Sequence, residues 1–173
     1  PVEHHLTDDC VDFAQSPQAL EFDDFVRVYF SSRRRDVSNG KFFSHICYVD
    51  MSKDLCEIIT VSEKPVIALG DLGTFDEHGI FPMNVLRVGG KVYGYTSGWN
   101  RRVSVSVDTA IGLAISENDG QSFVRLGPGP VLAASLNEPC LVGDPFVQVF
   151  DDEFHMWYIF GTGWKQYSSD SAP

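Results

Sequence analysis

The sequence predicts an all-β fold, and three of its properties support this prediction. Aromatic residues make up 13% of the 173 residues, and they stand beside 15 glycines and 9 prolines. Rings and chain breakers at this density favour many short strands over helices. No segment shows sustained helical periodicity, whereas residues 45–51, 103–107 and 110–116 follow strand patterns. The length is that of one domain with a core of its own.

A repeat runs through the chain. Each of three segments begins at a proline, passes through a few residues of strand pattern into a tight turn, and continues as a strand with aromatic residues. The prolines are Pro17, Pro82 and Pro145, which lie 65 and 63 residues apart. The turns lie at residues 23–24, 89–90 and 151–152. Two-residue turns of Asp or Gly between β-branched and aromatic runs are typical of β-hairpins.

The length of the repeat predicts the architecture. A unit of roughly 64 residues with four short antiparallel strands has the size of one blade of a β-propeller. A twisted four-stranded sheet cannot bury both faces alone, so blades pack against their neighbours in a ring, which needs about four or more of them. We therefore predict a single partial propeller domain over residues 1–173. Its predicted parts are blade 1 at 12–70, blade 2 at 71–134 and an incomplete blade 3 at 135–173.

A turn motif lies within the second predicted blade. Residues 116–123 resemble the Asp-box turn of sialidase-type propellers, with Asn118, Ser122 and Phe123 in place of its Asp, Thr and Trp. In such a turn a side-chain oxygen accepts hydrogen bonds from the backbone, and the glycine, here Gly120, takes a positive φ. This role is structural, so Asp119 is not expected to be catalytic.

The net charge and the cysteines limit which classes of partner and which cellular location we expect. Lys and Arg number 13 against 24 Asp and Glu, a net charge of −11, which disfavours nucleic acid and anionic membranes as partners. No apolar run approaches a membrane span and no leader is visible, although a chain that starts at Pro1 can have lost one. The four cysteines include no C-x-x-C pair, so we expect buried reduced thiols and a cytoplasmic location.

Several short segments of the sequence together resemble those of a known family. They are Val26–Arg33, Gly73–Pro82, Tyr95–Trp99, Glu138–Pro139 with Gly143–Pro145, and Met156–Tyr158. In order and spacing, from about Phe13 to Trp164, they resemble the five-bladed β-propeller superfamily of glycoside hydrolases, the family 43 and family 32 enzymes and their uncharacterised relatives. The resemblance implies about two and a half blades of a five-bladed β-propeller, the N-terminal half of a ring.

The resemblance also implies catalytic carboxylates on the innermost strands, around the axis. Cleavage of a glycosidic bond needs one carboxylic acid to protonate the leaving oxygen and a carboxylate as base or nucleophile, and a third acid can tune the proton donor. Asp144 fits the Asp-Pro start of an inner strand, Asp76 fits a Phe-Asp-x-x-Gly element, and Glu138 is the candidate acid. For each, the alternative is a carboxylate bonded in a turn or exposed to solvent.

The first repeat departs from the family pattern. The position that corresponds to Asp144 holds Ser16. Asp12 or Asp36 can substitute for the missing carboxylate, and the sequence does not decide between them.

The remaining candidates are substrate-binding residues. Arginine forks suit carboxylates and hydroxyl groups, and aromatic rings suit the flat face of a sugar. Trp99 and Trp164 are expected to end equivalent strands, where they either stack on a sugar or seal the contact between blades. The alternative for the arginines is a surface hairpin tip. The predicted set is Arg33, Arg35, Asp36, His78, Trp99 and Trp164.

Two functions from different classes remain open at this point. The resemblance implies a glycosidase-like propeller that binds or hydrolyses a glycan. The alternative is a binding or assembly module, or an inactive fragment, that forms a homodimer through uncovered blade faces. No metal-ligand spacing, nucleophile elbow or phosphate loop is present in the sequence, so we expect no metal and no cofactor.

Overall fold

The computed structural model describes residue 10 and residues 12–166, with only the backbone of Asp12. These residues form ten β-strands and no helix, which confirms the all-β prediction. The strands are β1 (Asp12–Glu21), β2 (Val26–Arg35), β3 (Phe42–Met51), β4 (Ile58–Val61), β5 (Gly79–Val88), β6 (Lys91–Arg101), β7 (Val107–Ser116), β8 (Val124–Arg125), β9 (Leu141–Phe150) and β10 (Glu153–Gly161).

The strands pair as two complete blades and the first hairpin of a third. Strands β1 to β4 pair in chain order, all antiparallel, and β5 to β8 do the same. Strands β9 and β10 form a separate antiparallel hairpin. One parallel pairing, between Ser44 and Gly79, joins the first two sheets. The blade boundaries at residues 70 and 134 remain a prediction, although these three groups of strands fall inside the predicted ranges.

Neighbouring blades cover each other's faces with apolar side chains. Tyr29 and Ile46 of the first blade pack with Met83 and Val92 of the second, and all four are at most 1% exposed. Tyr95 and Ile111 of the second blade pack in the same way against β9 and its neighbours. The inner strand of each following blade therefore covers the face of the preceding one, as expected for a propeller.

The inner strands β1, β5 and β9 each carry a β-bulge at the repeated proline. In each, the proline and the residue before it lie opposite a single residue of the next strand. The pairs are Ser16-Pro17 opposite Phe30, Phe81-Pro82 opposite Ser97, and Asp144-Pro145 opposite Tyr158. A bulge tolerates proline because the ladder there needs no N–H donor.

The bulges of the first and third blades lie at equivalent places, and that of the second is shifted by one residue. The residue pairs on the face toward the next blade are Gln18 with Tyr29, Asn84 with Tyr95, and Phe146 with Trp157. In blades 1 and 3 the proline comes directly before the first member of this pair, whereas Pro82 comes two residues before Asn84. The repeat read from the prolines is therefore correct to within one residue.

The turn between β7 and β8 docks on the first blade. The hydroxyl of Tyr29 donates a hydrogen bond of 2.8 Å to the carbonyl of Gly120, whose φ is +76°. Arg27, paired with Asp50 at 2.7 and 2.8 Å, donates to the carbonyl of Asp119 at 2.8 Å. The turn thus joins blades 1 and 2 through buried polar groups. Its assignment as an Asp-box stays a prediction.

The structure also bears on the expected thiols, on membrane spans and on metal sites. The four cysteines form no disulfide; Cys10 and Cys47 are buried, Cys140 is partly buried, and Cys56 is exposed, so the expectation of burial is wrong for Cys56. Across the described ranges no helix has the length and apolar character of a membrane span. The same residues contain no group of three or more His, Cys, Asp or Glu side chains placed to hold a metal ion.

A buried amide connects all three inner strands. Asn84 on β5 is 2% exposed. Its amide nitrogen donates a hydrogen bond of 3.1 Å to Gln18 on β1, and its carbonyl oxygen accepts one of 3.0 Å from the backbone N–H of Val147 on β9. A buried group with both functions bonded is costly to remove, because its partners then lack hydrogen bonds.

We predict that Asn84→Ala destabilises the fold by about 2 kcal/mol, because it leaves two buried polar partners unsatisfied. The measurement is urea unfolding followed by tryptophan fluorescence. Asn137→Ala, at an exposed residue, is the control and should change the free energy of unfolding by less than about 0.5 kcal/mol. Equal stability of the two variants would contradict the bridging role.

Candidate functional site

A cavity of about 720 Å³ lies where the three blades meet, beside the bulge of β9. Each blade contributes to its wall. Arg33 and Ser44 come from blade 1, Ser97 and Trp99 from blade 2, and Asp144 and Ile159 from the third hairpin. Three of the predicted site residues, Arg33, Trp99 and Asp144, therefore lie around one cavity although more than 100 residues separate the first from the last.

The bulge of β9 places Asp144 in this cavity. Asp144 takes a φ of 50°, a left-handed conformation that Asp and Asn tolerate better than most residues. Its backbone N–H donates a hydrogen bond of 3.2 Å to the hydroxyl of Ser97 on the neighbouring blade. The residue is exposed, and the partial burial of its carboxyl group raises its pKa above 3.8. Such a carboxyl group keeps its proton to a higher pH than an ordinary aspartate.

Trp99 forms one end of a stack of rings. Its ring lies 6.0 Å from that of His78 at an interplanar angle of 26°, and His78 in turn stacks on Phe43 at 6.0 Å and 7°. Gly79 allows this close approach, because a Cβ there would lie 2.2 Å from the indole nitrogen of Trp99. The indole is thus held rigidly while it contributes to the cavity wall.

His78 supports Trp99 and does not line the cavity. The backbone N–H of Arg101 donates to its Nδ1 at 3.4 Å. Burial, together with the positive charge of Arg101, lowers the pKa of His78 below 6.5, so the neutral ring is favoured. In this geometry His78 acts on the site through the position of Trp99.

Asp76 lies away from the cavity, in an ion pair. It is 0% exposed, and Nε of Arg125 donates to its Oδ2 at 2.8 Å. The hydroxyl of Thr74 lies 3.2 Å from its other oxygen. Phe75 beside it packs against Gly98, where a Cβ would lie 2.4 Å from the ring. The carboxylate therefore anchors the loop before β5 to blade 2, and this geometry does not favour the predicted catalytic role.

Glu138 also lies outside the cavity. Its Oε1 accepts a hydrogen bond of 2.9 Å from the hydroxyl of Tyr158, and its Oε2 accepts a longer one of 3.4 Å from Ser135. The bond to Glu138 raises the pKa of Tyr158. The described structure therefore does not bring the three predicted carboxylates together; only Asp144 lines the cavity.

The other predicted binding residues belong to different cavities. Arg35 and Asp36 line a different cavity, of about 790 Å³. Asp36 there accepts hydrogen bonds from Ser38 and Asn39, and the Ser38 hydroxyl lowers its pKa. Their predicted binding roles are not tested by this geometry.

Trp164 does not end a strand equivalent to that of Trp99, so this expectation is wrong. Trp99 lies within β6, whereas Trp164 lies three residues beyond the end of β10 at Gly161. The strand register aligns Trp99 with Gly161 instead. Trp164 lines a separate cavity of about 620 Å³ that shares Arg101 and Arg102 with the first one.

Comparison with known proteins gives relatives that are longer than this chain. No family model matches it. Two curated proteins of Mycobacterium tuberculosis, the uncharacterized proteins MT1551 (strain CDC 1551 / Oshkosh) and Rv1502 (strain ATCC 25618 / H37Rv), are each 32% identical over 157 residues. The match covers 91% of this chain and 50% of each relative. The chain thus spans about half the length of the curated relatives it matches.

Solved structures define the class of fold. The Bombyx mori GH32 beta-fructofuranosidase BmSUC1 superposes with a TM-score of 0.67 at 9% identity, over 85% of this chain and 29% of the enzyme. A mutant of that enzyme in complex with sucrose superposes with a TM-score of 0.62 at 9% identity, over 81% of this chain and 28% of the mutant enzyme. A thermostable family-43 glycoside hydrolase superposes with a TM-score of 0.65 at 21% identity, over 84% of this chain and 48% of that enzyme. The chain has a propeller glycoside hydrolase-like fold, present in part, as the sequence resemblance implied.

We predict that Asp76→Asn and Asp144→Asn differ strongly in stability. Asp76→Asn leaves the charge of Arg125 unpaired and should cost about 3 kcal/mol, the low end for breaking a buried ion pair. Asp144→Asn should stay within about 0.5 kcal/mol of the parent chain. Since the folded pKa of Asp144 is raised, its ionisation above pH 3.8 weakens the fold, and a neutral Asn, which tolerates the same φ, removes that effect. Urea unfolding at pH 7 measures both, and similar losses would refute the assigned roles.

Proposed function

We propose that this chain provides a glycan-binding site in a glycosidase-like, carbohydrate-active propeller, and that the cavity beside Asp144 is that site. The observation that carries the proposal is the meeting of Asp144 and Trp99 in one cavity. A tryptophan ring packs on the flat, weakly polar face of a sugar, and a carboxylate accepts hydrogen bonds from its hydroxyl groups. The two side chains thus offer both kinds of contact that a sugar needs.

The type of neighbour supports the same proposal. A shared fold does not by itself define function, so the glycoside hydrolase neighbours make sugar binding more expected without establishing it. A structural neighbour, the BmSUC1 mutant, is described in complex with sucrose, and a GH43_1 enzyme from Xanthomonas citri (TM-score 0.51, 17% identity, over 85% of this chain and 40% of that enzyme) in complex with xylose. Sucrose and xylose are therefore the first sugars to test on this chain.

Hydrolysis requires a second carboxyl group. Retaining and inverting glycosidases both use a pair that flanks the bond, with a separation of roughly 5 to 9.5 Å. Among the described side chains that line the cavity, Asp144 is the carboxylate.

We predict that Asp144→Asn weakens sugar binding about tenfold, because hydrogen bonds to a charged group contribute about 1.5 kcal/mol or more. Binding of sucrose, xylose and a set of aryl glycosides is measured by saturation-transfer NMR, and release of the aryl group tests hydrolysis. The matched control is Asp119→Asn, an exposed carboxylate that also has a positive φ, of 55°, and lies away from the cavity.

The control variant should bind like the parent chain. If neither the parent chain nor the Asp119→Asn variant binds any member of the panel, the proposal is wrong. Equal weakening by the two substitutions would show that the loss of a surface charge, and not the cavity, causes the effect.

A second function is favoured by one uncovered face of the third hairpin. Phe146, Phe150 and Trp157 lie on it and are 47–53% exposed. Trp157 contacts both phenylalanine rings at 6.2 Å. The equivalent faces of blades 1 and 2 are each covered by the next inner strand. We propose that a second copy of this chain covers this face, so that the chain also acts as an assembly module.

We predict that the chain is a dimer at tens of micromolar and that Trp157→Asp makes it a monomer, because a buried carboxylate at the interface is unfavourable. Sedimentation equilibrium measures the mass. Leu72→Asp, at an apolar residue that is 91% exposed and outside this face, should remain dimeric. A parent chain that sediments as a monomer would exclude this second function.

A further inference from the structure

The wall of the cavity beside Asp144 is unusually cationic for this protein. The chain has 13 Lys and Arg residues and a net charge of −11. Four of those cations line this one cavity, namely Arg33, Lys41, Arg101 and Arg102, against the one carboxylate Asp144. On a protein with excess negative charge, such a concentration of positive charge requires a physical explanation.

Internal ion pairs account for only one of these cations. Arg102 pairs with Asp108. Within the described part of the chain, no salt bridge involves Arg33, Lys41 or Arg101, and Asp144 forms none either. Among the described side chains these three positive charges have no carboxylate within ion-pair distance, although the charge of Arg101 contributes to the lowered pKa of Asp36. Like charges on one cavity wall favour an anion among them.

Aromatic rings hold two of these guanidinium groups in place. Arg33 lies over Phe13, 4.8 Å from the ring centroid. Arg101 lies 5.0 Å from the centroid of Phe43 and 5.8 Å from that of Trp99, and its Nη2 donates to the carbonyl of Phe42 at 2.7 Å. A guanidinium stacked on a ring keeps its edge N–H groups available for a second partner, and its side chain loses less freedom when that partner binds.

We propose that the glycan bound in this cavity carries an anionic substituent, a carboxylate or a phosphate, that the Arg33, Lys41 and Arg101 side chains recognise. The inference rests on the proposed sugar-binding function and adds the substrate class. Guanidinium forks pair with the two oxygens of a carboxylate or phosphate in a fixed geometry. Trp99 takes the sugar ring beside them, so that ring and anion are recognised by neighbouring side chains.

Matched pairs of sugars provide the test. Methyl glucoside and methyl glucuronide, and methyl galactoside and methyl galacturonide, differ only at C6, where a carboxylate replaces the hydroxymethyl group. Glucose 6-phosphate supplies the phosphate, and inorganic phosphate supplies the anion without the sugar. Dissociation constants by saturation-transfer NMR should be about tenfold lower for at least one anionic sugar than for its neutral partner, as expected for a charge-assisted hydrogen bond.

Adjacent arginines on β2 provide matched variants. Arg33→Gln should remove most of the preference for the anionic sugar over its neutral partner. Arg34→Gln is the control, because Arg34 is exposed and lines a different cavity, and it should retain the preference. Lys41→Gln is a second variant, at an exposed residue whose replacement does not disturb the core, and it should weaken the preference in part.

The outcomes separate this inference from the proposed function. Equal affinity for neutral and anionic sugars would overturn the anionic preference and leave sugar binding intact. Failure of every sugar to bind would overturn both. Equal losses in the Arg33 and Arg34 variants, or inorganic phosphate that binds as tightly as glucose 6-phosphate, would also overturn the inference, since either result shows attraction by charge without recognition of the sugar.

Discussion

The structure depends on the need of each twisted sheet to have its apolar face covered by the next one. Tyr29 and Tyr95 occupy equivalent positions in blades 1 and 2, and each is buried by the inner strand that follows. Because that strand is the first of its own blade, coverage also fixes where the blade begins relative to the axis. The cavity, the bulges and the bridging Asn84 all lie at this contact between successive inner strands.

The same contact explains why a bulge becomes a functional position. A bulge breaks the regular alternation of a strand and turns one side chain away from the sheet. In β9 the residue so placed is Asp144, fixed by the bond from its N–H to Ser97 of the preceding blade. In β1 the equivalent residue is Ser16, also at a positive φ of 53°. The same backbone bulge is therefore repeated in β1 and β9, and the residue type at that position decides whether the bulge carries a charge.

The fold was predictable from the sequence because its signals are local. Alternating apolar residues and Asp or Gly turns define hairpins over a few residues, and three prolines mark their repetition. The one-residue shift at Pro82 was not visible, since only the register with β6 reveals it. The candidate site was less predictable from the sequence than the fold. The partner of Asp76, Arg125, lies 49 residues away, and no local pattern links a carboxylate to a cation from which three strands separate it in the sequence.

Asp76 and Asp144 show that residue type alone does not assign a role. Both were candidates because short segments around them resemble those of one family, yet of the two only Asp76 is in an ion pair within the described structure. Asp76 is enclosed with Arg125, so its charge is satisfied and its oxygens are inaccessible. Asp144 forms no salt bridge with another described residue, and it lines an open cavity. The surroundings of a carboxylate, and not the short segment of sequence around it, therefore separate a structural ion pair from a candidate binding group.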